Sequence, residues 1–338
     1  MAVPLAVTAL FWAAASCVLY NIVSSFAASR REAAKARALG CEEPPFEKNR
    51  WPLGIDNLLR ALRADRAQHF PEDLIKRFET LGTNTYRYQV LGARNLRTAD
   101  PKNIQAILAT QFSDFDLGPT RRGNFLPMLG NGIFTSDGSH WKHSRALIRP
   151  QFTRDQVSDL DLEETHVQNM MKLLEPMIGA DGWIDEVDLL PYFFRLTIDS
   201  ATEFLFGKSV NSQLRLLPGY RSGEMGSMEA EFARAFDAGQ RALATRARFM
   251  DSWWLYDSLE FRNSCKIVHN FVDHYVQLAL SKDLRCRDLE KEGTADKRKY
   301  IFLEALAAQT QEPMELRSEL LHILLAGRDT TASHLGWS

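Results

Sequence analysis

The first charged side chain in this 338-residue sequence is Arg30. Before it, Val3–Ala28 reads VPLAVTALFWAAASCVLYNIVSSFAA. At about 1.5 Å of helix rise per residue, such a run can cross a hydrocarbon core of roughly 30 Å. Trp12 and Tyr20 are tolerable there, while Thr8, Ser16 and Asn21 weaken the run's hydropathy. A cleaved signal peptide needs a basic segment ahead of its apolar run, and Met1-Ala2-Val3-Pro4 offers none. The positive cluster follows instead, as Arg30, Arg31, Lys35 and Arg37. The positive-inside rule then puts the rest of the chain in the cytosol. The expectation is an uncleaved, single-pass signal anchor over residues 1–29, with a cleaved signal or a buried core helix as alternatives.

Residues 30–55 read as a basic helix to Gly40, then Glu42-Glu43-Pro44-Pro45 and Trp51-Pro52-Leu53-Gly54. Proline fixes φ and removes an amide donor, so a stiff hinge between anchor and globular domain is expected. The 41 basic and 43 acidic side chains nearly balance, which leaves no footprint for nucleic acid. Cys17, Cys41, Cys265 and Cys286 are too few for a disulfide framework, and no CxxC pair suggests a zinc ribbon.

Residues 56–338 form one domain, mainly α with a small β-sheet near the N-terminus. Asp56–Ala67 and Phe70–Thr80 read as helices. Thr85–Leu91 alternates Tyr86, Tyr88 and Val90 and reads as a strand, paired with Asn95–Thr98. Asp100-Pro101 caps a helix. Gln111–Ser136, rich in Gly and Phe, reads as a long loop packed on something apolar. Helices follow at Gly138–Ile148, from the capping-box spacing Thr153-x-x-Gln156 to about Ile178, and at Leu189–Phe206, Glu229–Arg248 and Glu260–Ser281. Lys282–Lys299 is dense in charge and reads as a solvated loop. Tyr300–Ala308 is a short helix, and Met314–Trp337 a strongly apolar one. Trp253 and Trp254 are expected in the core, with a dip into the membrane as the alternative. Arg241, Arg246 and Arg248 are expected near lipid headgroups or in water.

Two stretches carry chemistry. In the last helix, Gly327, Asp329 and the pair Thr330-Thr331 interrupt an apolar wall. Threonine hydroxyls can bond the carbonyl one turn back and bend a helix. A carboxylate beside a hydroxyl can relay protons to a polar ligand. The plainer alternative leaves Arg328 and Asp329 in water. Upstream, Trp141 and Arg145 stand four apart, on one helix face. An indole N–H and a guanidinium pointing together suit a carboxylate or phosphate, the alternative being a cation–π pair.

With Trp141-x-x-x-Arg145 and Ala326-Gly327-Arg328-Asp329-Thr330-Thr331 in this order, the chain resembles a membrane-bound cytochrome P-450. It is similar to the fungal branch that hydroxylates n-alkanes and fatty acids. The anchor, the Lys48–Asn57 run KNRWPLGIDN and the Leu129–Phe134 run LGNGIF agree. The resemblance implies that Trp141 and Arg145 hold a haem propionate. It implies that Asp329 and Thr330 deliver protons during oxygen activation, and that Ala326 and Gly327 line the oxygen groove. The Gln111–Ser136 segment would face a long-chain apolar substrate. Implied partners are the lipid bilayer and an NADPH-cytochrome reductase on the same endoplasmic reticulum membrane.

In that family a Cys thiolate ligates the haem. It sits in a Phe-x-x-Gly-x-Arg-x-Cys loop beyond the oxygen-binding helix, behind a Glu-x-x-Arg helix. Neither Cys265 nor Cys286 has that loop around it, and both precede the oxygen-binding helix, as does Glu231–Arg234. The expectation is a fold truncated at that helix, with no axial ligand, no activity by itself and no haem uptake. Leu320, Leu324, Leu325 and Leu335 would be partly exposed, making the chain poorly soluble. The alternatives are a non-catalytic, membrane-anchored helical protein and a di-iron oxidase. The latter would use Glu163–His166 and Glu319–His322, with Glu203 and Glu304 completing the set.

Overall fold

A computed structural model describes residues 5–153, 160–221, 223, 225–290 and 301–338. Helix α1 runs unbroken over Leu5–Ala38, joining the apolar run to the basic cluster. Among the described residues no helix is long and apolar enough to cross a membrane. Residues 1–4 and several side chains of α1's apolar half lie outside the described set, and the anchor expected at residues 1–29 draws on them.

The Pro-rich hinge is pinned to the domain rather than free. The Arg87 N–H donates to the Pro45 carbonyl, and the Glu47 N–H donates to that of Arg87, both at 2.8 Å. Glu47 then meets Arg60 and Arg77, and Arg77 also meets Asp73. Proline at 45 still accepts, so the segment docks along a strand without needing the amide that it lacks.

That strand belongs to a small N-terminal layer. Helices α2 (Ile55–Arg66) and α3 (Phe70–Leu81) precede the antiparallel pair β1 (Thr85–Val90) and β2 (Ala93–Thr98). Along β1, Tyr86, Tyr88 and Val90 point into a core shared with Leu58 and Phe78, as alternation demands. Arg97 on β2 lies over the Tyr88 ring and donates to both tyrosine hydroxyls. In the KNRWPLGIDN run, buried Asn57 donates to the Asn49 side chain and the Gln89 carbonyl, locking α2 onto β1. Asp100 caps α4 (Pro101–Gln105), accepting from the Lys102 and Asn103 amides.

The helical body contains α5 (Gly118–Leu129), α6 (Gly138–Ile148), α7 (Leu160–Leu174), α8 (Leu190–Phe206), α9 (Gly226–Arg248), α10 (Leu259–Glu290), α11 (Phe302–Ala307) and α12 (Pro313–Trp337). Helix α12 packs along α8 and touches α10, while α9 lies on α10. Phe232, Phe236, Phe271 and Phe302 fill the centre, with Leu316, Leu320, Leu321 and Leu324 of α12 fully buried beside them.

Several expectations change. Gln111–Ser136 is not one long loop: α5 occupies its middle, with Met128 and Leu129 in the core. The helix of α10 continues into the charged run as far as Glu290, and 291–300 lie outside the described residues, as does Gln156 of the expected capping box. Leu320 and Leu324 are fully buried because α8 and α10 cover them, whereas Leu335 is exposed. Trp254 is exposed, not core. Arg246 is buried instead of solvated. It donates to the carbonyls of Gly123, Asn124 and Tyr256 and sits over the Trp253 and Phe261 rings. Three carbonyl acceptors replace the water that it gives up.

Candidate functional site

Helix α12 sorts its motif onto two faces. Gly327, Thr330 and Thr331 are exposed and Ala326 half-buried, whereas Arg328 is buried and Asp329 half-buried. A Cβ on Gly327 would meet nothing within 4 Å, so that face is open. The helix continues through the motif, and the Thr330 hydroxyl donates to the Ala326 carbonyl at 2.6 Å. This is the one-turn back-bond that residue type suggested.

Arg328 lies between the Phe194 and Phe236 rings, 5.1 and 5.6 Å from their centroids. Its guanidinium donates to Asp237 of α9 and, at 3.1 Å, to Asp329. Neither Arg328 nor Asp329 is therefore simply in water. Burial pushes the Asp329 carboxyl up to about 6, with Arg328 opposing and Asp237 adding repulsion. All three residues line a cavity of about 800 Å³ whose apolar wall includes Phe194, Ile198 and Ala233. Asp329 and Thr330 are neighbours in sequence, but the carboxyl bonds Arg328 and the hydroxyl bonds Ala326.

On α6, Arg145 stacks over Trp141, its guanidinium carbon 5.4 Å from the ring centroid. The pair is thus a cation–π contact here, with Phe112 on the same indole. Arg145 is exposed and meets no carboxylate among the described residues. It borders a second cavity, about 830 Å³, with Ile133, Ala146, Ile148 and Phe152. The helix is held by His140, 2.8 Å from Asn131, and by His143, 2.6 Å from Glu315.

A further polar group lies on α12, named above only within the di-iron alternative. Glu319 and His322 are fully buried against the LGNGIF turn. The Phe134 N–H donates to His322 Nδ1 at 2.9 Å, and the two rings stack. Gly130 has φ +76°, and a Cβ there would stand 2.2 Å from Ser318 Oγ, so the turn approaches α12 as only glycine permits. The signal was present, as Glu-x-x-His opposite two glycines, but its meaning depended on which helix packed there. The di-iron reading fails: His166 bonds Glu203 and Ser200 bonds Glu163, and no three metal-ligating side chains converge among the described residues.

Cys265 is buried, and burial pushes its thiol up to about 12, so it stays protonated. Cys17 and Cys41 are exposed, and the Cys286 side chain lies outside the described residues.

The family model described as "Cytochrome P450" matches residues 44–338. A Fusarium protein named cytochrome P450 monooxygenase g430 is 76% identical over 329 residues, 97% of this chain and 57% of its own length. Cytochrome P450 52A12 of Debaryomyces hansenii is 43% identical over 303 residues, 89% of this chain and 56% of its own. Cytochrome P450 52A5 of Candida maltosa is 46% identical over 257 residues, 75% and 46% respectively. The chain thus spans about half the length of the curated relatives it matches.

Proposed function

Because the chain belongs to the cytochrome P450 family, we propose that it supplies the oxygen-side helix and the carboxylate-holding helix of a haem monooxygenase. Its proposed substrates are long-chain n-alkanes or fatty acids. The observation that carries this reading is the division of α12, with small residues and a hydroxyl open on one face and a near-neutral carboxyl behind them.

The residues present fit a planar group bearing carboxylates. Arg145 is exposed, without a carboxylate partner, beside an apolar-walled cavity, and nothing crowds Gly327. Bound haem would supply the iron at which dioxygen is activated for insertion of one oxygen atom into a C–H bond. Trp141 and Arg145 would hold its propionates. To do so Arg145 leaves the indole face, giving up about 0.5–1 kcal/mol of exposed cation–π contact. A charge-assisted hydrogen bond returns about 1.5–3 kcal/mol, so the exchange is favourable. Cys265, buried and protonated, is not poised as a thiolate.

On α12, Ala326 and Gly327 keep the groove shallow enough for a diatomic ligand. Thr330 would present its hydroxyl to that groove, turning from the Ala326 carbonyl when it donates. Asp329 takes up and releases a proton near neutral pH, which a relay requires. Since Asp329 and Thr330 do not bond each other, a water between them completes the relay. Electrons from NADPH through a membrane reductase, the single-pass anchor at residues 1–29 and an endoplasmic reticulum location belong to the same proposal. The charge-free run and the basic cluster behind it support the anchor.

The test uses microsomes holding the haem-supplied protein and an NADPH reductase, fed n-alkanes and fatty acids of increasing length. NADPH-dependent hydroxylated product is expected once a thiolate ligand to the haem is supplied. Arg145→Leu should lower haem content, and Thr330→Ala should lower product per NADPH consumed at unchanged haem content. Haem-loaded protein that turns over none of these substrates would refute the substrate assignment. Haem content indifferent to Arg145 would refute the clamp.

A further inference from the structure

His143 stands midway in sequence between Trp141 and Arg145 on α6. At about 100° per helical residue it lies about 200° from each, on the flank away from the pair. Between the two flanks runs the buried strip of Ser144, Leu147 and Ile148. Apolar contact is not directional, so such a strip resists lifting better than rolling. Whatever fixes the roll of α6 therefore fixes where Trp141 and Arg145 point.

The far flank is tied to α12. His143 Nε2 donates to Glu315 Oε1 at 2.6 Å. Glu315 is a prepared acceptor, because it sits in the first turn of α12, where the helix dipole favours negative charge. Thr310 Oγ1 donates to its other carboxyl oxygen, also at 2.6 Å. The Glu315 side chain is mostly buried and that of His143 mostly exposed, so the acid is the fixed partner and the imidazole the group that it holds.

Other contacts of α6 do not replace this one. His140 bonds Asn131, which belongs to the turn leading into the same helix. Ser144 meets Glu319, one turn beyond Glu315, but it lies on the strip about which the helix rolls and has little leverage. The backbone of α6 is not among those packed closely on α12, so side chains carry the register. On the near flank, the Phe112 ring lies 5.3 Å from that of Trp141, and a roll of α6 would part them.

We propose that His143 and Glu315 are positioning residues for the carboxylate clamp: their bond sets the roll of α6 and with it the direction of Arg145. The proposal rests on the clamp reading of Trp141 and Arg145 given above.

The roll is read first without haem. The full chain in detergent micelles, deuterated except at Trp and Phe, should show a cross-relaxation peak between the Trp141 and Phe112 rings. His143→Ala and Glu315→Ala should each weaken it. His143→Gln, whose amide nitrogen falls near Nε2, and Glu315→Gln, which keeps an acceptor, should preserve it. Only a change common to both alanine variants and absent from both glutamine variants counts, which sets aside general unfolding. A peak as strong in both alanine variants as in the wild type overturns the proposal. Haem and its dimethyl ester, which lacks the charged propionates, are then titrated into each protein. His143→Ala should weaken haem binding by up to about tenfold, the scale of one charge-assisted hydrogen bond, and leave ester binding unchanged. With Arg145→Leu already present, His143→Ala should cost nothing further. Haem binding sensitive to Arg145→Leu but not to His143→Ala, or equal losses for haem and ester, would overturn the positioning role alone. Haem binding indifferent to Arg145→Leu would overturn the clamp and this role with it.

Discussion

Replacing Glu319 by Gln should change how stability depends on pH, because Glu319 and His322 titrate in opposite senses inside one wall. Burial pushes the Glu319 carboxyl from 4.5 to about 7, with Ser144, His143 and the Ile133 amide opposing and Glu315 adding repulsion. Burial pushes His322 from 6.5 down to about 4, with Gly130 opposing and Arg121 of α5 adding to the fall. Between pH 4.5 and 7 the folded chain holds a Glu319 proton that the unfolded chain has lost. Stability due to Glu319 is therefore complete below 4.5 and lost as pH rises to about 7. Between pH 4 and 6.5 the unfolded chain holds a His322 proton that the folded chain refuses. Stability due to His322 is therefore complete above 6.5 and lost as pH falls toward 4.

Each displacement is about 2.5 pH units, worth about 3 kcal/mol at about 1.36 kcal/mol per unit. Both side chains are fully buried, so solvent screening takes little from that figure. In the wild type the two slopes oppose and nearly cancel between pH 4.5 and 6.5. Glu319→Gln unmasks the histidine, and stability should climb by about 3 kcal/mol as pH rises from 4 to 6.5. His322→Asn, which keeps an acceptor for the Phe134 amide, unmasks the acid. Its stability should fall by a similar amount from pH 4.5 to 7. Urea unfolding in mild detergent, followed by tryptophan fluorescence at steps across the window, measures both. Curves for Glu319→Gln that run parallel to the wild type would refute the reasoning, since no proton would then be linked to folding at this carboxyl.

Arg246→Met should destabilise the domain by about 3 kcal/mol, because three carbonyls lose a charged donor that no water replaces; the same urea titration checks it. Cys265 should resist alkylation in the folded chain while Cys41 reacts, because the Cys265 thiol is buried and stays protonated; peptide mapping after a timed iodoacetamide pulse reads this. Gly130→Ala should shift or loosen the turn on α12, since both its φ and the nearby Ser318 Oγ forbid a Cβ; faster amide exchange at Phe134 is the expected signature.

Local patterns made much of the fold legible. The tyrosine alternation of β1 and the Asp100-Pro101 cap each act within a few residues, and each formed as read. The misreadings share a different cause. The Gln111–Ser136 segment holds four glycines and two prolines, which suggest a loop. Burying Met128 and Leu129 against α10 and α12 outweighs that propensity and makes a helix. Arg246 reads as a surface charge until Gly123, Asn124 and Tyr256 are brought beside it from distant parts of the chain. For the site, spacing placed Trp141 over Arg145 and Thr330 over Ala326. It could not reveal that Arg328 ties Asp329 to Asp237, which lies far off in sequence on α9.

That last contact has a consequence for proton supply. Successive helical residues diverge by about 100°, so Asp329 and Thr330 serve different faces of α12. The acid is tied through Arg328 to α9, and the hydroxyl bonds back to Ala326 on the exposed face. Arg328 shares its guanidinium between two carboxylates, and Asp237 both competes for it and repels Asp329. Asp237→Asn, which removes both the competitor for Arg328 and the repulsion, should therefore lower the pH at which Asp329 ionises.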